Sequence, residues 1–390
     1  MTARVDPNLL TELKKYGDVK IESCFNCGNC TAICPLTTEE DNFPRRMIRF
    51  AQLGLRDRLL ASKELWLCYY CGECTNTCPR KAEPGEYMAA ARRYAIASYD
   101  RSGLAKLLYT SPFLSVVFMV VLATLIGAFF LSFSGPMSAD ALRLFEFIPS
   151  GLIHNAGILS GVFIVVAALA GVVNMTSRVT KALPYPKGMR FNWWGALWKA
   201  FGVEVLAQKR YRQDCETTAT EKPWYAQKWF IHASMLWGFL GLFAATALNY
   251  LLELLNVKVT GTWVPLWYPI RLLGTVSGLF LLYGTTMAVI RRIRKDEPAY
   301  LKSALSDWAF LALMWLAGVT GFLLEIAVYL PPSTWSYWML LAHLIVVGEL
   351  LLLAPFTKFA HAMYRSIALY LWALEPLPEK EEVKAVSAAD

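Results

Sequence analysis

The sequence predicts an all-α protein in two parts, a short cysteine-bearing head followed by a six-helix transmembrane body. Three observations carry that prediction. Eight of the nine cysteines fall in two copies of one motif between residues 24 and 78, six apolar stretches of spanning length follow, and no segment alternates apolar and polar residues as a half-buried strand does. With 390 residues, 56% of them hydrophobic, and a mean hydropathy of +0.38, the chain is too apolar for an ordinary soluble protein. Its formal charge of +8 sits beside the apolar stretches, where it sets membrane orientation and not nucleic-acid binding. The polar start MTARVDPNLLTELKKYGD lacks the basic flank and apolar run of a signal peptide, so the head is expected in the cytoplasm.

The first motif is Cys24-Phe-Asn-Cys27-Gly-Asn-Cys30-Thr-Ala-Ile-Cys34-Pro35, and the second is Cys68-Tyr-Tyr-Cys71-Gly-Glu-Cys74-Thr-Asn-Thr-Cys78-Pro79. In the C-x-x-C-x-x-C-x-x-x-C-P pattern three thiolates wrap one 4Fe-4S cluster and the fourth reaches the other. Cys24, Cys27, Cys30 and Cys78 are therefore expected at one cluster, and Cys68, Cys71, Cys74 and Cys34 at the second. Two zinc sites are the alternative, but zinc gives no reason for the repeated fourth Cys-Pro. Pro35 and Pro79 break the local helix, and Gly28 and Gly72 let the backbone fold over the sulfurs. Between the motifs, residues 44–54 start with proline, end with glycine and carry apolar residues at helical spacing. Glu83-Pro84-Gly85 opens a further helix over Tyr87 to Ser98. Residues 1–106 thus read as an α-helical two-cluster ferredoxin domain.

Residues 107–374 read as the membrane domain, with apolar segments at Ser111–Phe133, Gly151–Met175, Trp229–Leu251, Trp267–Ile290, Ala304–Leu330 and Tyr337–Ala362, each long enough to span. The connection Ser177–Lys228 carries ten Lys and Arg, and Arg291, Arg292, Arg294 and Lys295 follow the fourth span; the opposite loops hold only Arg143 and Lys258. Both termini are expected on the cytoplasmic side of the inner membrane. Trp194, Leu197, Trp198, Phe201 and Val205 form a stripe suited either to the inner membrane interface or to packing on the head. Cys215 receives no role. The tail, residues 375–390, is charged and proline-containing, and is expected to be flexible.

The chain has four histidines. His343 and His361 are eighteen residues apart in a stretch, Tyr337 to Arg365, that reads as one helix. Five turns would put them on one face, separated by roughly 27 Å, close to a bilayer's apolar thickness. By topology His154 and His343 lie near the outer side, and His232 and His361 near the inner side. Pairs at two depths suit two six-coordinate b-type haems, an outer one held by His154 and His343 and an inner one held by His232 and His361. Intramembrane ionisable groups are functional candidates by default, although a lone histidine is more often structural. No C-x-x-C-H signals a covalent haem.

The head, with FPRRMIRFAQLGL and KELWLCYYCGECTNTCP joining its motifs, resembles the C subunit of heterodisulfide reductases over residues 20 to 98. The stretches FIHASMLWGFLGLFAAT around His232 and PFTKFAHAMYR around His361 resemble the haem-b subunits of those enzymes and the gamma subunit of respiratory nitrate reductases. In that gamma subunit two haem ligands share an early helix, whereas His154 and His232 fall on different spans here. The two halves in one chain resemble the family of membrane C subunits of the quinone-interacting membrane-bound oxidoreductase complexes of sulfate reducers. That resemblance implies menaquinol as donor. It also implies the flavin-containing A and B subunits of the same complex, both heterodisulfide reductase A-like, as partners, and adenylylsulfate reductase as acceptor in dissimilatory sulfate reduction.

A menaquinol-oxidising role in electron transfer is the expected function. The alternatives are a heterodisulfide-reductase-like or nitrate-reductase-gamma-like membrane protein serving another cytoplasmic acceptor, and a membrane anchor without redox chemistry, against which the cysteines speak. No nucleotide-binding glycine loop or flavin motif occurs, so chemistry on the final substrate belongs to partners. Quinol oxidation needs a polar group at the outer side. Glu325, near the outer end of the fifth span, and Arg271, near the outer start of the fourth, are the candidates; the alternative is that they pair with each other or with a haem propionate.

Overall fold

The computed structural model describes residues 4–38, 41–138, 140–182, 191–214, 223–295 and 300–374. Cys215 and the tail from residue 375 lie outside them. The architecture is all-helical. In the head, α1 (Leu9–Lys14), α2 (Asn29–Ile33), α3 (Arg45–Gln52), α4 (Arg56–Leu60), α5 (Glu64–Leu67) and α6 (Glu73–Asn76) surround α7 (Pro84–Tyr99). Proline at its first position pre-sets φ for α7, and Tyr87, Met88, Ala90, Ala91, Ala95 and Tyr99 are buried along it. Its two deepest hydroxyls are satisfied: Tyr87 donates to the Met47 carbonyl at 2.6 Å and Tyr99 to that of Leu60 at 2.6 Å.

The twin motifs fold as a repeat. Gly28 and Gly72 take φ of +92° and +94°, conformations that open α2 and α6 immediately after the second cysteine of each motif. Asn26 and Tyr70, one residue before those cysteines, also have positive φ, +67° and +59°. Each pair of positions matches in the alignment of the two motifs, and α2 packs on α6.

In the body come α8 (Leu104–Thr110), α9 (Pro112–Ser132), α10 (Leu144–Phe147), α11 (Ser150–Ala182), α12 (Trp193–Leu197), a π-helical stretch over Trp198–Leu206, α13 (Lys209–Asp214), α14 (Lys228–Leu254), α15 (Pro269–Arg294), α16 (Leu305–Ala327), α17 (Thr334–Leu353) and α18 (Ala360–Ala373). Six of these elements, α9, α11, α14, α15, α16 and α17 with its short extension to Phe356, are long and apolar enough to cross a membrane. Small residues let α14 and α15 approach: a Cβ on Gly238 would lie 2.5 Å from the Leu281 nitrogen.

The single helix expected over Tyr337 to Arg365 is not formed. α17 stops at Leu353, a 3-10 turn runs over Ala354–Phe356, Thr357 is extended, and α18 starts anew at Ala360. Pro355 causes the break, because it has no N–H to give and its ring clashes with the preceding turn. His343 and His361 therefore sit on separate helices.

The boundary at Lys106 falls inside α8, and no gap in packing marks it. One buried apolar cluster contains Leu9, Met47, Trp66 and Tyr99 of the head together with Met175 and Val179 of α11, Phe356, and Tyr364 and Ala368 of α18. Ion pairs seal the joint. Arg93 reaches Asp307 at 3.0 Å, Lys358 reaches the other oxygen of Asp307 at 2.7 Å, and Lys302 binds both Asp18 and Glu83. The Trp194–Val205 stripe is divided: Trp194 and Trp198 are exposed, whereas Phe201 and Val205 pack on Leu67 of the head and Leu369 of α18.

Candidate metal centres

The eight motif cysteines are all free thiols in the head. Cys24, Cys27 and Cys78 lie near enough to Cys30, and Cys68, Cys71 and Cys30 near enough to Cys34, for their charges to act on it. Burial first, and these neighbours next, push the thiols of Cys30, Cys34 and Cys74 up, Cys34 to about 12. Among the described residues no three His, Cys, Asp or Glu side chains close on one metal ion. Thiols so buried need a strongly cationic group to hold them ionised, which is what iron supplies. Backbone N–H groups already point at the sulfurs, from Tyr70 to Cys68 and from Ala82 to Cys78, both at 3.4 Å.

The loop carrying Cys68 is held by arginines from both halves of the chain. Arg92 of α7 donates to the carbonyls of Leu65 and Cys68 at 3.1 and 2.9 Å. Arg365 of α18 donates to those of Trp66, Leu67 and Cys68 at 2.7, 3.0 and 3.2 Å. Between them lies Trp66, fully buried, with its indole 6.0 Å from the His361 ring.

Next to the head, His232 lies near enough to His361 for its charge to act on that ring. Burial holds the His361 imidazole well below the ordinary histidine value, with Arg92, Arg365, His232 and Lys358 adding to the effect. His232 meets Tyr211 at 5.4 Å between rings, and Tyr211 meets Tyr69 of the second motif at 5.6 Å. The Gln208 carboxamide oxygen lies 3.1 Å from Nδ1 of His232. An amide oxygen only accepts, so Nδ1 carries the proton and Nε2 keeps its lone pair for a metal.

Elsewhere in the body, Ile153 and Ala156 of α11 pack against the apolar cluster that contains Leu340 and Leu341 of α17, the two helices that carry His154 and His343. His343 Nδ1 is 2.8 Å from the Thr320 hydroxyl, whose own proton goes to the Leu316 carbonyl at 2.7 Å. Thr320 therefore accepts from Nδ1–H, again leaving Nε2 available. His154 differs. Its Nε2 faces Glu253 at 3.8 Å and its ring stacks near Tyr250 at 4.6 Å. Among the described residues, Gln208 and Thr320 thus leave the Nε2 lone pairs of His232 and His343 free of a hydrogen-bond partner, whereas Nε2 of His154 faces the Glu253 carboxylate.

Arg271 and Glu325 form an ion pair with each other, Nε to Oε1 at 2.8 Å. Arg271 also donates to the Val264 carbonyl and lies over the Tyr329 ring. This is the structural arrangement anticipated as the alternative to a quinol site.

Residues 20–82 match the family model for a 4Fe-4S dicluster domain. Residues 143–380, more than half of the chain, match the model described as citrate utilization protein B. The chain belongs to the citrate utilization protein B family. Citrate utilization protein B of Escherichia coli is 30% identical over 105 residues, covering 27% of each chain. The head of this family member is similar to the C subunit of the H(2):CoB-CoM heterodisulfide,ferredoxin reductase of Methanothermobacter thermautotrophicus, 34% identical over 63 residues, or 16% of the chain and 34% of the relative. It is also similar to a protein of Archaeoglobus profundus described as like the heterodisulfide reductase C subunit, 39% identical over 101 residues, or 24% of the chain and 54% of the relative. The matches span about a third to a half of those relatives' lengths. No solved structure matches. This citrate utilization protein B family member thus carries a 4Fe-4S dicluster domain similar to the heterodisulfide reductase C subunit, followed, among the described residues, by six helices long and apolar enough to cross a membrane.

Several residues that the motifs do not mark belong to the site. Trp66, Gln208, Tyr211 and Arg365 all touch it; Trp66, in the connecting KELWLC, and Arg365, at the end of PFTKFAHAMYR, stand inside segments with a recognisable pattern, whereas Gln208 and Tyr211 do not. Glu349 is buried in α17 with no hydrogen-bond or ion-pair partner among the described residues. An intramembrane carboxylate so placed is costly and is a further candidate for proton transfer.

Proposed function

We propose that the chain oxidises menaquinol in the cytoplasmic membrane and passes the electrons to flavin-containing partners, the A and B subunits of one complex, with adenylylsulfate reductase as the final acceptor. In this reading His154 and His343 hold an outer b haem, His232 and His361 an inner one, and the two cysteine quartets hold the 4Fe-4S clusters. Bound there, these groups supply one-electron carriers. The chain's residues support one order for them. His361 lies 6.0 Å from the Trp66 indole, two residues before Cys68, and Arg365 of the same helix donates to the Cys68 carbonyl; this supports the second quartet as the one adjoining the membrane body and is the observation that carries the reading. Gln208 and Thr320 hold their histidines in the tautomer that leaves Nε2 for a metal. Arg271 and Glu325 border the outer end, where quinol would deliver protons away from the head.

The family described by citrate utilisation covers the membrane half, and it favours a second reading in which the same relay serves a different cytoplasmic partner. Purification from native membrane, with partner and flavin identification and a reduced-minus-oxidised haem spectrum, tests both. Adenylylsulfate reductase and flavoproteins recovered together support the first; a different flavoprotein supports the second; absence of any b-type haem spectrum rejects the membrane relay.

A further inference from the structure

Matching positions of the two motifs differ in exposure. Phe25 is 61% exposed and Ile33 43%, and Cys27 is exposed. Their counterparts Tyr69, Thr77 and Cys71 are half-buried, with Tyr69 lying under Tyr211 and the Arg365 guanidinium. One quartet therefore faces the membrane body and the other faces away from it.

Four cations surround the outward-facing quartet. Arg45 holds a guanidinium nitrogen 3.5 Å from where a Cβ on Gly28 would stand. Arg49 bonds to Gln52 at 3.2 Å, and the Gln52 amide donates to the Cys24 carbonyl at 3.1 Å. Arg80 donates to the Ser23 carbonyl at 3.4 Å, and Lys81 follows it, exposed. Among the described residues none of these four has a carboxylate at ion-pair distance. Lys14, Lys20, Arg46, Arg56 and Arg93 of the same head each do. Glu22, beside Ser23, is already taken by Lys14.

We propose that Phe25, Cys27 and Ile33, inside the rim of Arg45, Arg49, Arg80 and Lys81, form the docking face for a soluble flavoprotein with an acidic surface. An apolar centre within a charged rim is the anatomy of a non-obligate interface, and unpaired cations steer an acidic partner to it. The inference rests on the electron-transfer reading above. A partner seated here takes one electron from the centre held by Cys24, Cys27, Cys30 and Cys78. That centre is oxidised by one electron, the partner's flavin is reduced by one, and no bond or proton moves at the sulfurs.

The test uses the full-length detergent-solubilised protein and reduced flavodoxin, an acidic flavoprotein, as the probe, with haem and cluster reduction followed by stopped flow. Dithionite reduction first establishes that the centres are present. The second-order rate is expected to fall at least tenfold as salt rises from low to several hundred millimolar, as steered association does. Arg49→Glu with Lys81→Glu should lower the low-salt rate about tenfold, and Ile33→Ser should lower it without altering its salt dependence. Arg58→Glu, on the edge where Asp57 meets Arg178, should leave it unchanged. A rate insensitive to salt and to the double variant, with all centres present, overturns the docking face alone. A protein lacking the centres overturns the functional reading and this inference with it.

Discussion

The His361 imidazole lies 6.0 Å from the Trp66 indole, centroid to centroid, and two residues beyond Trp66 is Cys68. The helix that follows the last membrane-length span and the loop of the second cysteine motif thus meet across one aromatic ring. Replacing Trp66 by alanine should destabilise the head by about 3–5 kcal/mol, because a fully buried large side chain leaves a cavity. Trp66→Phe should keep the fold. Thermal unfolding of both variants checks the difference, and rapid mixing of Trp66→Phe should show slower communication between haem and clusters at unchanged cofactor content.

His232→Ala or His361→Ala should remove one b-type haem and leave the other. Redox titration followed by visible spectroscopy reads this directly. Two transitions retained in both variants would separate these histidines from haem binding.

Cys34→Ser should disturb the cluster held mainly by Cys68, Cys71 and Cys74, since Cys34 stands beside Cys68 and Cys71. Electron paramagnetic resonance should show one altered signal and one native signal. Arg365→Leu should perturb the same signal, because the Trp66 and Leu67 carbonyls lose their charged donor and the Cys68 carbonyl keeps only Arg92.

Gln208→Leu should shift the midpoint potential of the inner haem, and Gln208→Glu should lower it, since a stronger acceptor on Nδ1–H makes the imidazole a better donor to iron. The outer haem serves as internal reference.

Asp41 gives a pH dependence. Burial foremost, with Glu64 nearby, raises its carboxyl from 3.8 to about 6 against the opposing pull of Arg46. Between those values the folded state holds a proton that the unfolded chain releases, so stability falls as pH rises from about 4 through 6. Asp41→Asn should therefore raise the melting temperature near pH 7, and the two proteins should converge as pH falls toward 4.

Much of this is legible in the sequence because it depends on local spacing. Cys24 to Pro35 and Cys68 to Pro79 carry their geometry in the interval between sulfurs, and the six spans carry theirs in length and apolarity. The helix break at Pro355 is legible too, yet the eighteen-residue interval from His343 to His361 fits five turns so well that it hides the interruption. Gln208 could not be found this way. It is buried, with φ of +51°, just beyond a π-helical stretch, and its partner His232 is 24 residues away. Arg365 and Trp66 meet only because the whole chain folds back between them, and no periodicity encodes such a meeting.

The apolar cluster that runs from Leu9 through Trp66 and Tyr99 to Met175 and Tyr364 leaves the head no hinge on which to swing. Some electron carriers reach a distant acceptor by moving a tethered domain like a pendulum. Here the distance from His361 to the Cys68 loop is set by packing, so travel falls to whatever arrives at the opposite face. On the proposed relay, turnover would be governed by the arrival and departure of a diffusing or reorienting partner, and slowing the head itself, by viscosity or by cross-linking it to the body, would leave transfer inside the chain untouched.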